Sequence, residues 1–199
     1  MPLDQSFTLT FPEDVADRVR YEYNRARTVL EYGSGGSTLV GAGIRGLKLF
    51  SVELDLEWAR SITKEVAAVT ATGASVHVHH ADIGPTEKWG HPVRRRLAHG
   101  LRYWRYARSV WRRPDFEHPD LVLIDGRFRI ACFLAVLTRI KRPTRVLFDD
   151  YEERAVYHWV ERFAKPVEFC GRMAVFELAP ARVPLRDLPG AFRRAFWPR

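Results

Sequence analysis

Apolar and polar positions alternate along most of the chain in two periods, and the change from one to the other marks its elements. Between Glu13 and Arg25, Val15, Val19 and Tyr23 recur at four-residue spacing among charges, which predicts an amphipathic helix. Short apolar runs then predict strands at Thr28–Tyr32, Leu47–Glu53, Ser75–His80, Leu121–Asp125 and Arg145–Asp149. The intervening pattern predicts helices at Ser37–Ile44, from Leu56 through Ala59, Ile62, Val66 and Val69, at Phe128–Ile140 and at Glu152–Phe163, with Asp55 capping the second. Two last strands, Pro166–Cys170 and Met173–Leu178, are joined only by Gly171-Arg172; two residues cannot make a parallel crossover, so these form an antiparallel hairpin. The fold class that follows is α/β: a three-layer, Rossmann-like sheet, mostly parallel, with helices on both faces and the hairpin at its end.

The chain is expected to form one domain over residues 1–199, with a basic, aromatic insertion at about 85–118 and a basic tail at 180–199. In the insertion, Val93, Leu97, Leu101, Trp104 and Trp111 are expected on one helix face, with Arg94, Arg95, Arg102, Arg105 and Arg112 on another. This helix either covers the core with a solvated basic back or forms a lid over a binding site. At 199 residues, 46% hydrophobic and 28% charged, the chain can bury a core without staples. Cys132 and Cys170 sit in apolar stretches, where reduced thiols are expected. Met1–Ser6 lacks the features of a secretory signal and no run reaches the ~18 apolar residues of a membrane span, which places the protein in the cytoplasm. The net charge of +8 admits anionic partners of several kinds, but no nucleic-acid-binding motif accompanies it, so a small anionic molecule is favoured over nucleic acid. Oligomeric state leaves no mark in the sequence.

The candidate chemistry lies at strand ends. Glu31, Glu53, Asp82, Asp125 and the pair Asp149-Asp150 stand at or just after the carboxyl ends of five successive strands, where open parallel sheets bind ligands. The turn Gly33-Ser34-Gly35-Gly36-Ser37-Thr38 connects the first strand to its helix. A dinucleotide fingerprint would need glycine where Thr38 stands, and a phosphate loop would need Gly-Lys-Ser/Thr. Glu31 suits a ligand with a cationic sulfonium and an amino group better than a diphosphate. Glu53, about twenty residues past the first glycine, is where a carboxylate accepts from ribose hydroxyls.

In Leu30-Glu31-Tyr32-Gly33-Ser34-Gly35-Gly36-Ser37-Thr38 the chain resembles the class I S-adenosylmethionine-dependent methyltransferases, and the resemblance extends from Thr28 to Leu178. It implies S-adenosylmethionine as cofactor and in-line methyl transfer as activity. It further implies that the turn, with Glu31, Tyr32, Gly33, Ser34, Gly35, Ser37 and Thr38, lines the methionine end. By the same resemblance Glu53 binds ribose, Asp82 with Ile83 flanks adenine, and Asp125 lies close to the transferring methyl. Ser37 replaces the third glycine of the commoner motif.

At the acceptor, Asp125, Asp149 and Asp150 are the candidate bases, ahead of His80. The same three carboxylates are candidate Mg²⁺ ligands, similar to those of catechol-type O-methyltransferases, although there the last ligand is usually an amide and here it is Asp150. Alternatively, one of Asp149 and Asp150 caps the following helix. Arg127 and Arg129 either pair with strand-end carboxylates or hold an anionic acceptor, and Arg102 and Arg105 of the insertion are further acceptor candidates. A non-catalytic cofactor-binding module and an NAD(P)-dependent oxidoreductase are the competing functions, the latter disfavoured by Thr38 and by the lack of a Tyr-x-x-x-Lys pair.

Overall fold

The computed structural model describes residues 8–87, 91–92 and 100–195. Its elements run α1 (Glu13–Arg25), β1 (Thr28–Tyr32), α2 (Gly36–Ala42), β2 (Lys48–Glu53), α3 (Leu56–Val69) and β3 (Ser75–His80). A small ladder of β4 (Thr86–Glu87) and β5 (His91–Pro92) precedes α4 (Gly100–Arg108). Then come β6 (Leu121–Ile124), α5 (Arg129–Arg139), β7 (Thr144–Phe148), β8 (Glu168–Cys170), β9 (Met173–Leu178) and α6 (Leu188–Ala195).

Seven strands form one sheet in the order β3-β2-β1-β6-β7-β9-β8. The first five are parallel, while β9 runs antiparallel to both β7 and β8, as the two-residue Gly171-Arg172 link requires. The chain steps outward from β1 through β2 to β3, then returns to β6 on the other side of β1. That reversal places the ligand crevice beyond the carboxyl ends of β1 and β6.

Strand alternation divides the core between two faces. Val29, Leu49, Leu121, Leu123, Leu147 and Val175 meet Val15, Val19 and Tyr23 of α1 on one side. Leu30, Tyr32, Phe50, Val122, Ile124 and Phe148 pack on the other side with the buried residues of α5 and α4. Asp55 caps α3 as its sequence position suggests, its Oδ1 accepting from the amides of Glu57 (2.8 Å) and Trp58 (3.0 Å). Cys132 and Cys170 are free thiols. Among the described residues no helix is long and apolar enough to cross a membrane.

Two expected elements come out differently. The helix expected over Glu152–Phe163 is a turn followed by a short 3-10 stretch, Tyr157–Arg162. Asp150 takes a left-handed φ of 54°, and the Tyr151 amide bonds the Arg172 carbonyl at 2.8 Å, so the backbone is committed to the hairpin rather than to a helix. The insertion does carry an amphipathic helix, α4, but its inward stripe is Tyr103, Tyr106 and Ala107, continued by Val110, while Trp104 is only partly covered. Val93, Arg94, Arg95 and Leu97 lie outside the described residues, as does the Leu101 side chain. The tyrosines win the inner positions because their rings fill the space against Phe128, on which Tyr103 stacks at 5.0 Å.

Polar bonds join the insertion to the sheet. The Tyr32 hydroxyl donates to the Ala107 carbonyl (2.7 Å) and accepts from the Trp111 indole (2.9 Å), and His79 Nε2 meets Ser109 Oγ at 2.8 Å. Tyr32→Phe removes the shared hydroxyl and leaves a buried carbonyl and an indole N–H without it. It should cost about 1–3 kcal/mol in urea denaturation, and an unchanged midpoint would show that the Tyr32 hydroxyl does not help to hold the insertion.

Candidate active site

Two loops meet at the switch point, one after β1 and one after β6. Gly33, at φ +103°, approaches Gly126 so closely that a Cβ on it would fall 2.8 Å from the Gly126 Cα. The Gly126 amide in turn bonds the Tyr32 carbonyl at 2.6 Å. A Cβ on Gly126 would collide with the Tyr106 hydroxyl. Only glycine at both points lets the loops touch, and the floor of the crevice is therefore backbone. Gly35 differs from both: nothing lies within 4 Å of where its Cβ would stand, which leaves open space above the loop.

The side chains of this loop turn into the protein. Glu31 is fully buried; Ser37 donates to its Oε1, Thr38 to its Oε2 at 2.7 Å, and the Tyr23 hydroxyl stands 3.4 Å away. Burial pushes its carboxyl up to about 7 against the opposing pull of these hydroxyls. The Tyr32 ring lies in the core, and Ser34 Oγ pairs with Ser51 Oγ at 2.6 Å. The side chains of Glu31, Tyr32, Ser34, Ser37 and Thr38 therefore point inward: strand alternation sends Glu31 to the α1 face and Tyr32 to the α4 face. What faces the crevice here is loop backbone.

Glu53 ends β2 beside that loop. Its Oε1 accepts from the amides of Leu54 (2.6 Å) and Asp55 (3.0 Å), and its Oε2 from the Ser34 amide (3.2 Å). Burial raises its carboxyl above the ordinary range, opposed by these amides. The Trp58 indole donates to the Ser34 carbonyl at 2.8 Å, fixing the loop from the α3 side. Asp82 is exposed, accepting from the Gly84 amide at 2.9 Å, and Ile83 beside it is buried.

Asp125, Asp149 and Asp150 do come together, around arginines. Arg129, buried at the start of α5, reaches Asp125 Oδ1 (3.2 Å), Asp150 Oδ2 (3.0 Å) and Asp149 Oδ2 (3.9 Å), and also bonds the carbonyls of Gly126 and Asp149. Arg172 grips Asp149 with two bonds of 2.9 and 2.8 Å, and Arg154 pairs with Asp150 at 2.7 Å. Three guanidiniums thus pair with these carboxylates, and among the described residues no group of His, Cys, Asp or Glu is arranged to hold a metal ion. The Mg²⁺ expectation is corrected on this ground, and neither aspartate caps a helix. Asp125 is the most open of the three, its side chain 27% exposed. Its carboxyl is pushed well up by burial and by Asp149 and Asp150, against the pull of Arg129. His80 bonds the Leu54 carbonyl at 3.1 Å.

The three acceptor arginines do not form one cluster. Arg127 follows Gly126 at the crevice and is half-buried, its guanidinium pulled down by burial and by Arg129. Arg102 has a guanidinium nitrogen near Gly84, in the loop after β3, whereas Arg105 lines a surface groove with Trp104, Arg108, Ser109 and Arg112. Arg129 takes the first of its two expected roles, pairing with strand-end carboxylates, but sequence reasoning missed Tyr106 and the convergence of three carboxylates on this one arginine. Both left signals: Tyr103, Tyr106, Ala107 and Val110 follow an i, i+3, i+4, i+7 stripe, and Asp125 and Arg129 stand four apart. Nothing local announces Arg172, which reaches the site through the hairpin.

No family model matches the chain, and no curated protein matches it. Among solved structures it is similar to a methyltransferase-like protein from Silicibacter pomeroyi, at 43% identity over 97% of this chain and 100% of that one, with a TM-score of 0.90. It is more distantly similar to an O-methyltransferase from Bacillus cereus in complex with S-adenosylhomocysteine (16% identity, 83% of this chain and 66% of that one, TM-score 0.47). An RNA methyltransferase from Salinibacter ruber in complex with S-adenosyl-L-homocysteine stands at a similar distance (14%, 89% and 97%, 0.47). The last two likenesses are too slight to bear on this chain.

The burial of Glu31 makes stability depend on pH. A carboxyl raised from 4.5 to about 7 binds its proton more tightly in the folded state, so its contribution is full below pH 4.5 and declines as pH rises toward 7. Glu31→Gln should therefore gain about 3 kcal/mol on the wild type between pH 4.5 and pH 7, read from urea denaturation at a series of pH values. Parallel pH curves for the two proteins would show that Glu31 is ionised in the fold at no cost.

Proposed function

Since the chain belongs to the class I S-adenosylmethionine-dependent methyltransferase family, we propose that it transfers a methyl group from S-adenosylmethionine to a small anionic acceptor. The observation that carries this reading is Glu53. Three amides orient its carboxylate at the end of β2 and use three of its roughly four lone-pair sites, which leaves Oε2 able to accept from a ribose. The open space above Gly35 lies on the same loop as the Ser34 amide, and Asp82-Ile83 follows the next strand. These residues fit the cofactor: Glu53 at its ribose, the Gly33–Gly35 backbone at its methionine end, and Ile83 with Asp82 at its adenine.

Bound there, S-adenosylmethionine supplies a methyl already activated on sulfonium. The chain then has to orient the acceptor, exclude water and accept a proton. Asp125 is the base in this reading, because its side chain alone of the three aspartates is substantially open and its raised carboxyl makes it more basic than an ordinary aspartate. Asp149 and Asp150 keep Arg129, Arg154 and Arg172 in place. Arg127, beside Asp125, supplies positive charge to an anionic acceptor. Arg102, by the Gly84 loop, falls on the adenine side, and Arg105 attracts anions from the outer face of α4. The pairing of Asp125 with Arg129 favours a second reading, a module that binds the cofactor without turnover. Family membership favours both over the nicotinamide-dependent reading.

Calorimetry should show binding of S-adenosylmethionine and S-adenosylhomocysteine, and Glu53→Ala should weaken it by about 1–3 kcal/mol; NAD(P) binding in preference, or unchanged affinity in the folded variant, contradicts the assignment. Asp125→Asn should lower turnover about 10²–10⁴-fold across a panel of phosphorylated and carboxylated acceptors, with S-adenosylhomocysteine affinity kept. Tight cofactor binding by the wild type without turnover on any of them decides for the module. For an acceptor that is turned over, Arg127→Gln should raise KM and make it less sensitive to salt, because screening acts on the attraction removed.

A further inference from the structure

Away from the crevice, α4, α5 and α6 border two connected surface grooves. One, of about 830 Å³, is lined mainly by apolar side chains, among them Leu134, Ala135, Leu185, Leu188 and Phe192. The other, of about 510 Å³, is lined by Trp104, Ser109 and the cations Arg105, Arg108 and Arg112. Trp104 and Arg108 line both, so the two are halves of one surface feature. The apolar half lies within the ~300–1,000 Å³ range of small-molecule sites. Leu134 and Ala135 belong to the second half of α5, which puts them about 8 Å or more along the helix from Arg129 at the crevice.

The segment forming the outer wall is mounted with its apolar stripe outward. Leu185, Leu188 and Phe192 follow an i, i+3, i+7 spacing and are 84%, 45% and 48% exposed. Contacts that hold this segment to the body include Asp187 with Arg162 at 2.9 Å, the buried Ala191, and the Arg194 guanidinium 5.1 Å from the Trp159 ring. The cationic half is equally unusual. Among the described residues no carboxylate pairs with Arg105, Arg108 or Arg112, while Arg108 stacks on Trp104 at 5.9 Å and has Arg139 and Arg112 as charged neighbours.

An apolar trough ending in arginines that no carboxylate pairs with among the described residues is complementary to a hydrocarbon chain that ends in a negative charge. A second copy of this chain fits less well, since a two-fold contact would bring the same cations together. A nucleic-acid backbone would satisfy the arginines and leave the leucines wet. We propose that the two grooves form one binding site for a single-chain amphiphile with an anionic head, its chain along Leu188 and Phe192 and its head on Arg108 and Arg112. The site is separate from the methyl-transfer crevice and does not depend on that reaction.

Calorimetry below the micelle threshold with octyl, nonyl and decyl phosphate tests this, with inorganic phosphate, decanol and decanoate as comparisons. Binding should be saturable and tighten about fourfold for each added methylene, and inorganic phosphate should bind far more weakly than any of them. Arg108→Gln/Arg112→Gln should weaken decyl phosphate at least tenfold while leaving decanol unchanged. Leu188→Gln/Phe192→Gln should flatten the dependence on chain length. All four positions are exposed, and circular dichroism checks that the variants fold. The ratio of decanoate to decyl phosphate affinity distinguishes a carboxylate head from a phosphate head. The proposal is overturned by the absence of saturable binding, by binding that neither double variant alters, or by a dimer in sedimentation equilibrium that Leu188→Gln/Phe192→Gln disperses.

Discussion

The guanidinium of Arg129 lies buried where the loops after β6 and β7 meet, and the carboxyl edge of the sheet is organised around it. It touches the carboxylates of Asp125, Asp149 and Asp150 and the carbonyls of Gly126 and Asp149. Without that charge three carboxylates would crowd one poorly solvated corner, and removal of one partner from a buried ionic group costs about 3–5 kcal/mol. Arg129 is positioned by Phe128, which adopts a left-handed φ of 52° and is wedged against Tyr103 and Tyr106. An unfavourable backbone conformation is thus held by aromatic packing, and it aims the side chain that balances the corner.

The two sides of the crevice are built on different terms. On the β1 side the side chains of the glycine-rich turn are spent on Glu31 and Ser51, beneath the loop, which leaves main chain and the Glu53 carboxylate at this end of the sheet. On the β6 side Asp125 and Arg127 are partly open, while the Tyr106 hydroxyl of the insertion lies buried against Gly126.

Most of the sheet was legible in the residues because β1, β2, β6 and β7 are short buried runs closed by acids, and because Gly171-Arg172 permits only a hairpin. Asp55 was readable as a cap for the same local reason. The stretch after Asp149 was misread as a helix: its apolar spacing is helical, but the pull of Arg172 on the Asp149-Asp150 turn is a tertiary effect that periodicity does not register. In the insertion the exposed arginines Arg102, Arg105 and Arg112 and the core contacts of Trp104 and Trp111 were readable, but Tyr103 and Tyr106, which lie deeper than Trp104, were not, since hydrophobicity ranks tryptophan above tyrosine. Glu31 shows the limit most clearly. Its position at a strand end was evident, yet which face of the strand it occupies decides whether it meets a ligand or supports the loop from below.

The location of Arg172 bears on how the polypeptide comes together as it leaves the ribosome. Asp149 and Asp150 are synthesised more than twenty residues before Arg172, and the β8–β9 hairpin must dock on β7 through β9 before that arginine is in place. Until then β7 is an unpaired edge and the acidic corner has Arg129 and Arg154 alone. Domains tend to consolidate from the N-terminus during translation, but here the last strand of the sheet completes both its hydrogen bonding and its charge balance. A nascent chain stalled or cleaved before the hairpin would carry a finished glycine-rich loop beside an acidic corner short of one cation, a fragment suited to capture by chaperones.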